Sequence, residues 1–337
     1  MNLRTRAPSR RHVLAGAGAA LLAAPPRIAI AETAKLKLGL MLPYTGTYAQ
    51  LGDAITDGLK LAIAEASGRL GGREVEFSIL DDESEPSKAP ENANKLVNRE
   101  KVDFLIGTVH SGVEMAMVKV ARDTGTMLII PNAGVGAATG ALCAPNIFRT
   151  SFSNWQPAFP MGKVVADRGL KRAVTLTWQY AAGDESVGGF KEGFTAAGGT
   201  ILKEFWLPFP NVEFQPLLTE IAALKPDVVY CFFAGGGAVK LVKDYAAAGL
   251  KDKIALVGPG FLTDGTLPAQ GEAAQGLETT LHYGDALRLP KTTPSAPPTR
   301  RPPGARPMSM RCRATTPASC WRSAWLRSRA IPAPATS

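Results

Sequence analysis

Histidine is nearly missing from this chain. There are three in 337 residues, and His12 stands in the N-terminal stretch, so a His-rich metal site is excluded. Cysteine is almost as scarce, with four residues: Cys143, Cys231, Cys312 and Cys320. Cys231 lies in an apolar, strand-like run and reads as a buried thiol, and Cys143 lies in a loop. Whether the two pair is left open by the sequence. Long apolar runs are also lacking. The stretch from Val13 to Ala24 is too short to span a bilayer, and nothing later is longer, so the mature protein is expected to be soluble. Catalytic and nucleotide motifs are missing too. Gly16-Ala17-Gly18 lies in the N-terminal stretch. Gly235-Gly236-Gly237 lacks the Gly-Lys-Ser/Thr that completes a phosphate loop. Ser111 and Ser186 have no G-x-S-x-G setting. Asp81, Asp82, Glu83 and Glu85 lack calcium-loop spacing and read as a solvated loop. No enzyme, cofactor or metal is expected.

Acid is absent from both ends. Residues 1–31 hold five Arg and no Asp or Glu, and residues 288–337 hold ten basic residues, ten Pro and no acid. Between them, residues 32–287 carry 23 basic and 29 acidic side chains, a net of −6, although the whole chain is +9. The body is mildly acidic, and nothing in it suggests a nucleic-acid surface. Ser9-Arg10-Arg11-His12-Val13-Leu14 resembles a twin-arginine export signal, with Val13 where Phe is usual, so the general export route stays open. Ala29-Ile30-Ala31 fits a small-x-small cleavage site, which puts residues 1–31 in the signal and starts the mature chain at Glu32.

What is present is a repeated strand–helix alternation. Leu36–Leu42 is apolar. Ile55, Leu59, Ala62, Ile63 and Ala66 follow at helical spacing, and Gly71-Gly72 stops that helix. Val75, Phe77 and Ile79 alternate like a strand. A helix is expected over 87–101, a strand over 102–106, a helix over 113–124 and a strand over 127–130, giving a four-strand parallel lobe. Phe148 to Ser151 reads as the first crossing. A second lobe repeats the pattern: strands at 173–177, 200–205, 228–233 and 254–257, helices at 183–197, 214–224 and 239–248. A last strand over 277–283 is read as the final crossing. Two α/β lobes are expected of a chain this long, and ligands in such sheets sit beyond the carboxyl ends of the strands. The candidate loops are therefore 43–50, 108–112, 132–136, 179–186, 233–237 and 258–264.

The wording of the first unit, G-x-x-x-P-x-T-G-x-x-A-x-x-G from Gly39 to Gly52, then GGR and a strand ending in Asp81-Asp82, resembles the periplasmic solute-binding proteins of branched-chain amino acid transporters. The resemblance runs to about Asp285. It implies two Rossmann-like lobes joined by a hinge, lobe 1 over 32–150, lobe 2 over 151–276 and a last hinge crossing over 277–287. It implies a periplasmic, monomeric binder of a small carboxylate that serves the membrane subunits of an ABC importer. A ligand-sensing component of a receptor system is the alternative on the same fold. By resemblance, Ser111 and the loop Asn132, Ala133, Gly134 hold the solute carboxylate, Ser111 being also well placed as an N-cap. His110 either adds a hydrogen bond or charge or is a loop residue. Tyr180, which opens a helix with Gly183, and Phe233-Ala234 match contact loops of lobe 2, or else belong to the core. The family's acid after Gly-Pro is replaced here by Gly260, in Gly258-Pro259-Gly260-Phe261. An ammonium would then lack a counter-charge, which favours a carboxylate without an amine. Tyr44, Tyr180, Phe233 and Phe261 could stack on an aromatic ring, with Asp264 near to receive a hydroxyl.

Residues 288–337 show neither helical nor strand period. Back-translation of Met308 to Pro317, read one base earlier, permits DVYAVQGYDA, which resembles the family's C-terminal helix entry. A frameshift near Leu287 and an incomplete C-terminal part are expected, the printed tail being disordered.

Overall fold

A computed structural model describes residues 34–283. The export signal and the frameshift expectation lie outside these residues. The first sheet is built around β1, Leu36–Leu42. Leu36, Leu38, Leu40 and Leu42 pack with Leu51, Ile55, Leu59 and Ile63 of the Ala49–Glu65 helix. Met41 belongs to the core on the opposite face, with Val113 and Met117 of the Ser111–Thr124 helix. Burial on both faces is why this strand reads as a continuous apolar run. β3, Arg73–Asp81, lies parallel to β1, with Leu36 opposite Val75 and Leu42 opposite Asp81.

Three further strands complete the lobe: β4 (Phe104–Ile106), β5 (Met127–Ile130) and β6 (Ile147–Arg149). With β2 (Arg69–Leu70) the order is β2-β3-β1-β4-β5-β6. The lobe thus has six strands where four were expected. β2 and β6 span two and three residues, too few to show a period. Gly71-Gly72 does not stop the helix, which ends at Glu65. It is the turn of an antiparallel β2–β3 hairpin, with φ +59° and +82°, a conformation glycine reaches without steric cost. The expected 87–101 helix is shorter, Ala89–Asn94, and runs on as a π-helical turn over Lys95–Arg99.

The second sheet repeats the winding. β7 (Arg172–Trp178) is flanked by β8 (Thr200–Leu207) on one side and by β9 (Val228–Phe232), β10 (Ala255–Pro259) and β11 (Glu278–Thr280) on the other. All pairings in this sheet are parallel. The fold is two α/β lobes with parallel sheets. Each has a switch point, between β1 and β4 and between β7 and β9, where strand order reverses direction.

Two helices differ from expectation. Trp155–Asp167 was hidden by Pro157 and Pro160. Pro157 sits in the first turn, where no intrahelical N–H is lost. Gly235, Gly236 and Gly237, read as a loop, form the first turn of the Gly235–Ala247 helix. Cys143 is exposed on the first lobe and Cys231 is buried in β9, and both are free, so they do not pair. No helix among the described residues is long and apolar enough to cross a membrane.

The Trp155–Asp167 helix packs closely on the Ala181–Ala196 helix because side chains are missing at the contact. A Cβ on Gly162 would overlap the Phe190 carbonyl, and one on Gly193 the Phe159 carbonyl. By contrast, a Cβ on Gly188 of the same helix meets nothing within 4 Å. Gly162→Ala and Gly193→Ala are each expected to cost about 1–3 kcal/mol by overpacking. Gly188→Ala should instead gain up to about 1 kcal/mol from helix propensity. Thermal melts of the three variants check this, and a Gly162→Ala melt at or above the parent's would refute the close-packing account.

Candidate functional site: the cleft between the lobes

The carboxyl ends of both sheets face one cleft. The first lobe lines it with Tyr48 and Leu51 after β1, Val109 after β4, and Asn132, Ala133 and Gly134 after β5. Phe152 and Asn154 come from the chain beyond β6, Tyr180 and Ala182 follow β7, Phe232 and Ala234 close β9, and Phe261 follows β10. Every loop proposed from the sequence contributes at least one residue. None of these lining residues is Lys, Arg, Asp or Glu. The space between them is about 20 Å³, room for one water, so a solute enters only if the walls part. A larger cavity of about 180 Å³ lies at the opposite, amino end of the second sheet, near Leu170, Ala255 and Gly276. It is bordered by the half-exposed Arg168–Glu278 ion pair, and it is remote from both switch points.

In the acidic loop after β3, Glu83 and Glu85 are exposed as expected, whereas Asp81 and Asp82 fasten neighbouring loops. Asp81 accepts hydrogen bonds from Tyr44 N at 2.8 Å, Thr45 Oγ1 at 2.6 Å and Glu83 N at 2.8 Å, fixing the turn after β1. These bonds hold its carboxyl below the usual range despite the opposing effect of burial. Asp82 is fully buried and accepts from Ser84 N at 2.8 Å and from the Thr108 hydroxyl, which ties down the loop after β4. Burial pushes its pKa up to about 6. The N-cap of the Ser111–Thr124 helix is His110, not Ser111. The His110 Nδ1 accepts from Gly112 N at 3.0 Å. Ser111 is the first helical residue, and its Oγ accepts from Asn154 Nδ2 at 3.4 Å.

The loop at 132–136 is held along its backbone. Ala133 N donates to Thr108 O at 2.9 Å, and Gly134 O accepts from Asn154 N at 2.9 Å. Gly134 has no room for a side chain, since a Cβ would sit 2.6 Å from Asn154 Oδ1. Val135 N donates to the buried Glu114 Oε2 at 3.0 Å, and Gly136 N donates to Glu185 Oε1 at 2.7 Å. Arg149 Nη1 lies 3.7 Å from Glu114 Oε1. Burial outweighs that guanidinium and lifts the Glu114 carboxyl to about 8.

The second lobe meets His110 and Tyr48 of the first with aromatic rings. The Tyr180 ring stacks on His110 at 4.6 Å, and its hydroxyl meets that of Tyr48 at 2.8 Å. Phe209 fits edge-on against His110 at 4.8 Å and Trp178 at 5.0 Å. Burial raises both the Tyr48 and Tyr180 phenols above their ordinary value. Further along, Phe152 and Phe261 lie 4.8 Å apart, with Phe232 at 6.2 Å from Phe261.

Seven residues singled out in the sequence do not line the cavity: His110 and Ser111, which begin the Ser111–Thr124 helix, and five others. Phe233 is core, edge-on to Trp178 at 4.7 Å and to Phe214 at 5.1 Å. Strand alternation gives the cleft its neighbour Phe232 instead. Gly183 lies against β7, where a Cβ would overlap the Trp178 carbonyl. Gly260 faces Leu281, whose Cβ would be 2.8 Å from an added Cβ, so a side chain fits there only if Leu281 moves. Tyr44 pairs its hydroxyl with Thr56 at 2.8 Å. Asp264 is half-exposed and donates its backbone N to Gly260 O at 2.8 Å. The lining residues that went unremarked are Tyr48, Leu51, Val109, Phe152, Asn154, Ala182 and Phe232. Tyr48, Val109 and Ala182 stood inside loops already marked. Phe152 and Asn154 follow the crossing at Arg149, which was not counted among the post-strand loops.

Residues 35–294 match the periplasmic binding protein family. The chain belongs to that family. A solute-binding protein of an ABC transporter from R. palustris, solved with benzoate, is 48% identical, with a TM-score of 0.78, over 87% of this chain and 83% of that one. Another, from Rhodopseudomonas palustris BisB5 with 3,4-dihydroxy benzoic acid, is 29% identical, with a TM-score of 0.76, over 86% and 81%. The Leu/Ile/Val-binding protein homolog 6 of Brucella melitensis is 30% identical over 74% of this chain, which spans only 64% of that relative's length.

Burial lowers the His110 pKa to about 4. Between pH 4 and 6.5 the unfolded chain therefore binds the proton more readily, and this residue's contribution to stability is lost as pH falls through that window. Asn keeps the capping oxygen but does not titrate. Relative to His110→Asn, the parent is expected to lose up to about 3 kcal/mol between pH 7 and pH 4. Urea titrations of both proteins across that range measure it, and a pH-independent difference would contradict the buried, neutral imidazole.

Proposed function

We propose that this protein is the periplasmic solute-binding component of an ABC importer, acting as a monomer, and that its cleft takes a small aromatic carboxylate. The observation that carries the reading is the composition of the lining: aromatic and amide side chains with no charged residue. An amino acid brings an ammonium that would be buried without a counter-charge, which is costly. A carboxylate fits better. Tyr48, Tyr180, Asn132 and Asn154 supply neutral donors. The Ala181–Ala196 and Gly235–Ala247 helices also begin at the cleft with no side-chain cap, so their amino ends favour negative charge. Phe152, Phe232 and Phe261 offer apolar faces to a ring.

The R. palustris protein solved with benzoate supports the same choice of solute class. Delivery to membrane subunits, and a periplasmic site of action, follow from what the family does.

The test is a thermal-shift series on the mature chain with benzoate, 4-hydroxybenzoate and leucine. A solute at a hundred times its dissociation constant adds about 2.7 kcal/mol of stability. Benzoate or 4-hydroxybenzoate is expected to raise the melting temperature and leucine to leave it unchanged. A shift with leucine alone would overturn the aromatic assignment.

A further inference from the structure

Two consecutive backbone amides in the 132–136 loop end on two glutamate carboxyl groups from different lobes. Val135 N is held by Glu114, from the Ser111–Thr124 helix of the same lobe, at 3.0 Å. Gly136 N is held by Glu185, from the Ala181–Ala196 helix of the second lobe, at 2.7 Å. The other Glu185 oxygen accepts from Asn154 Nδ2 at 2.9 Å, and that same amide reaches Ser111 Oγ. Glycine at 136 permits the approach, since an added Cβ would already stand 3.3 Å from Glu185 Oε1.

The two bonds differ in what happens when the lobes part. The Glu114 bond stays within one lobe and survives. The Glu185 bond spans the cleft and breaks, leaving the Gly136 amide to water. We infer that Glu185 is an interlobe latch: it grips the solute-facing loop only in the closed form and sets how slowly a bound solute leaves. Glu185 is a positioning residue and does not line the cavity. The inference on retention rests on the cleft being the solute site, whereas the latch itself does not.

The test uses the full chain and two variants, Glu185→Ala and Glu185→Gln. Site-resolved hydrogen exchange on the peptide covering residues 133–141 reads the latch without any solute. In Glu185→Ala the Gly136 amide is expected to exchange about tenfold faster, the loss of one charge-assisted hydrogen bond, with Val135 unchanged. Stopped-flow fluorescence with benzoate then reads retention. The dissociation rate is expected to rise about tenfold while the association rate stays within about twofold, since the latch forms after encounter. Glu185→Gln, whose single carbonyl can serve Gly136 or Asn154 but not both, should fall between, and it carries the test if the alanine variant folds poorly. Unchanged exchange at Gly136 overturns the latch. Faster exchange with an unchanged dissociation rate overturns its role in retention. If the parent binds no benzoate, the solute reading fails, and the exchange data still decide the latch.

Discussion

Parallel winding outward from a central strand forces every post-strand loop of a sheet to one end, and the rest of this molecule follows from that constraint. In the first lobe the central strand is β1, and in the second it is β7. Each lobe then has one point where successive connections depart in opposite directions, leaving a gap between loops. With the two gaps facing each other, short loops from seven strands meet without any long excursion of chain. The loops are stiffened from behind by groups that never reach the cavity. Asp81 and Asp82 on the end of β3 fasten the loops after β1 and β4, and Glu114 fastens the one after β5.

Most of this was legible in the sequence, for a physical reason. Strands buried on both faces are continuous apolar runs, and the helices between them carry an apolar stripe, so β1, β5, β7 and β9 declare themselves. What escaped were elements without room for a period or with the wrong residues for their class. β2 and β6 are too short. The Trp155–Asp167 helix carries two prolines, and the Gly235–Ala247 helix opens on three glycines. Within the site, loop identity was readable but side-chain direction was not. Phe232 and Phe233 are equivalent as text, yet one residue of register sends the first to the cleft and the second to the core beside Trp178. Gly260 shows the same limit. The sequence shows the missing acid there but not that an added side chain would meet Leu281.

Neutrality is the common property of the groups gathered at the closure. His110 uses Nδ1 to receive a backbone amide, so its one remaining ring proton belongs on Nε2. Tyr48 and Tyr180 share a hydrogen bond between uncharged hydroxyls. Contacts between such groups lose little desolvation energy, whereas charged partners would have to give up bound water. Glu185 does reach across as a carboxylate, at the rim, where it is half-buried and each of its oxygens accepts a hydrogen bond.

The contact between Gly260 and Leu281 also ties together two distant stretches of chain. Leu281 follows β11, and the next residue, His282, stacks on Phe152 at 4.9 Å, while Phe152 and Phe261 form one wall of the cleft. The returning strand is thus a buttress for that wall. Any sequence change just past Thr280 therefore acts on the shape of the cavity from behind, without altering a single residue that lines it.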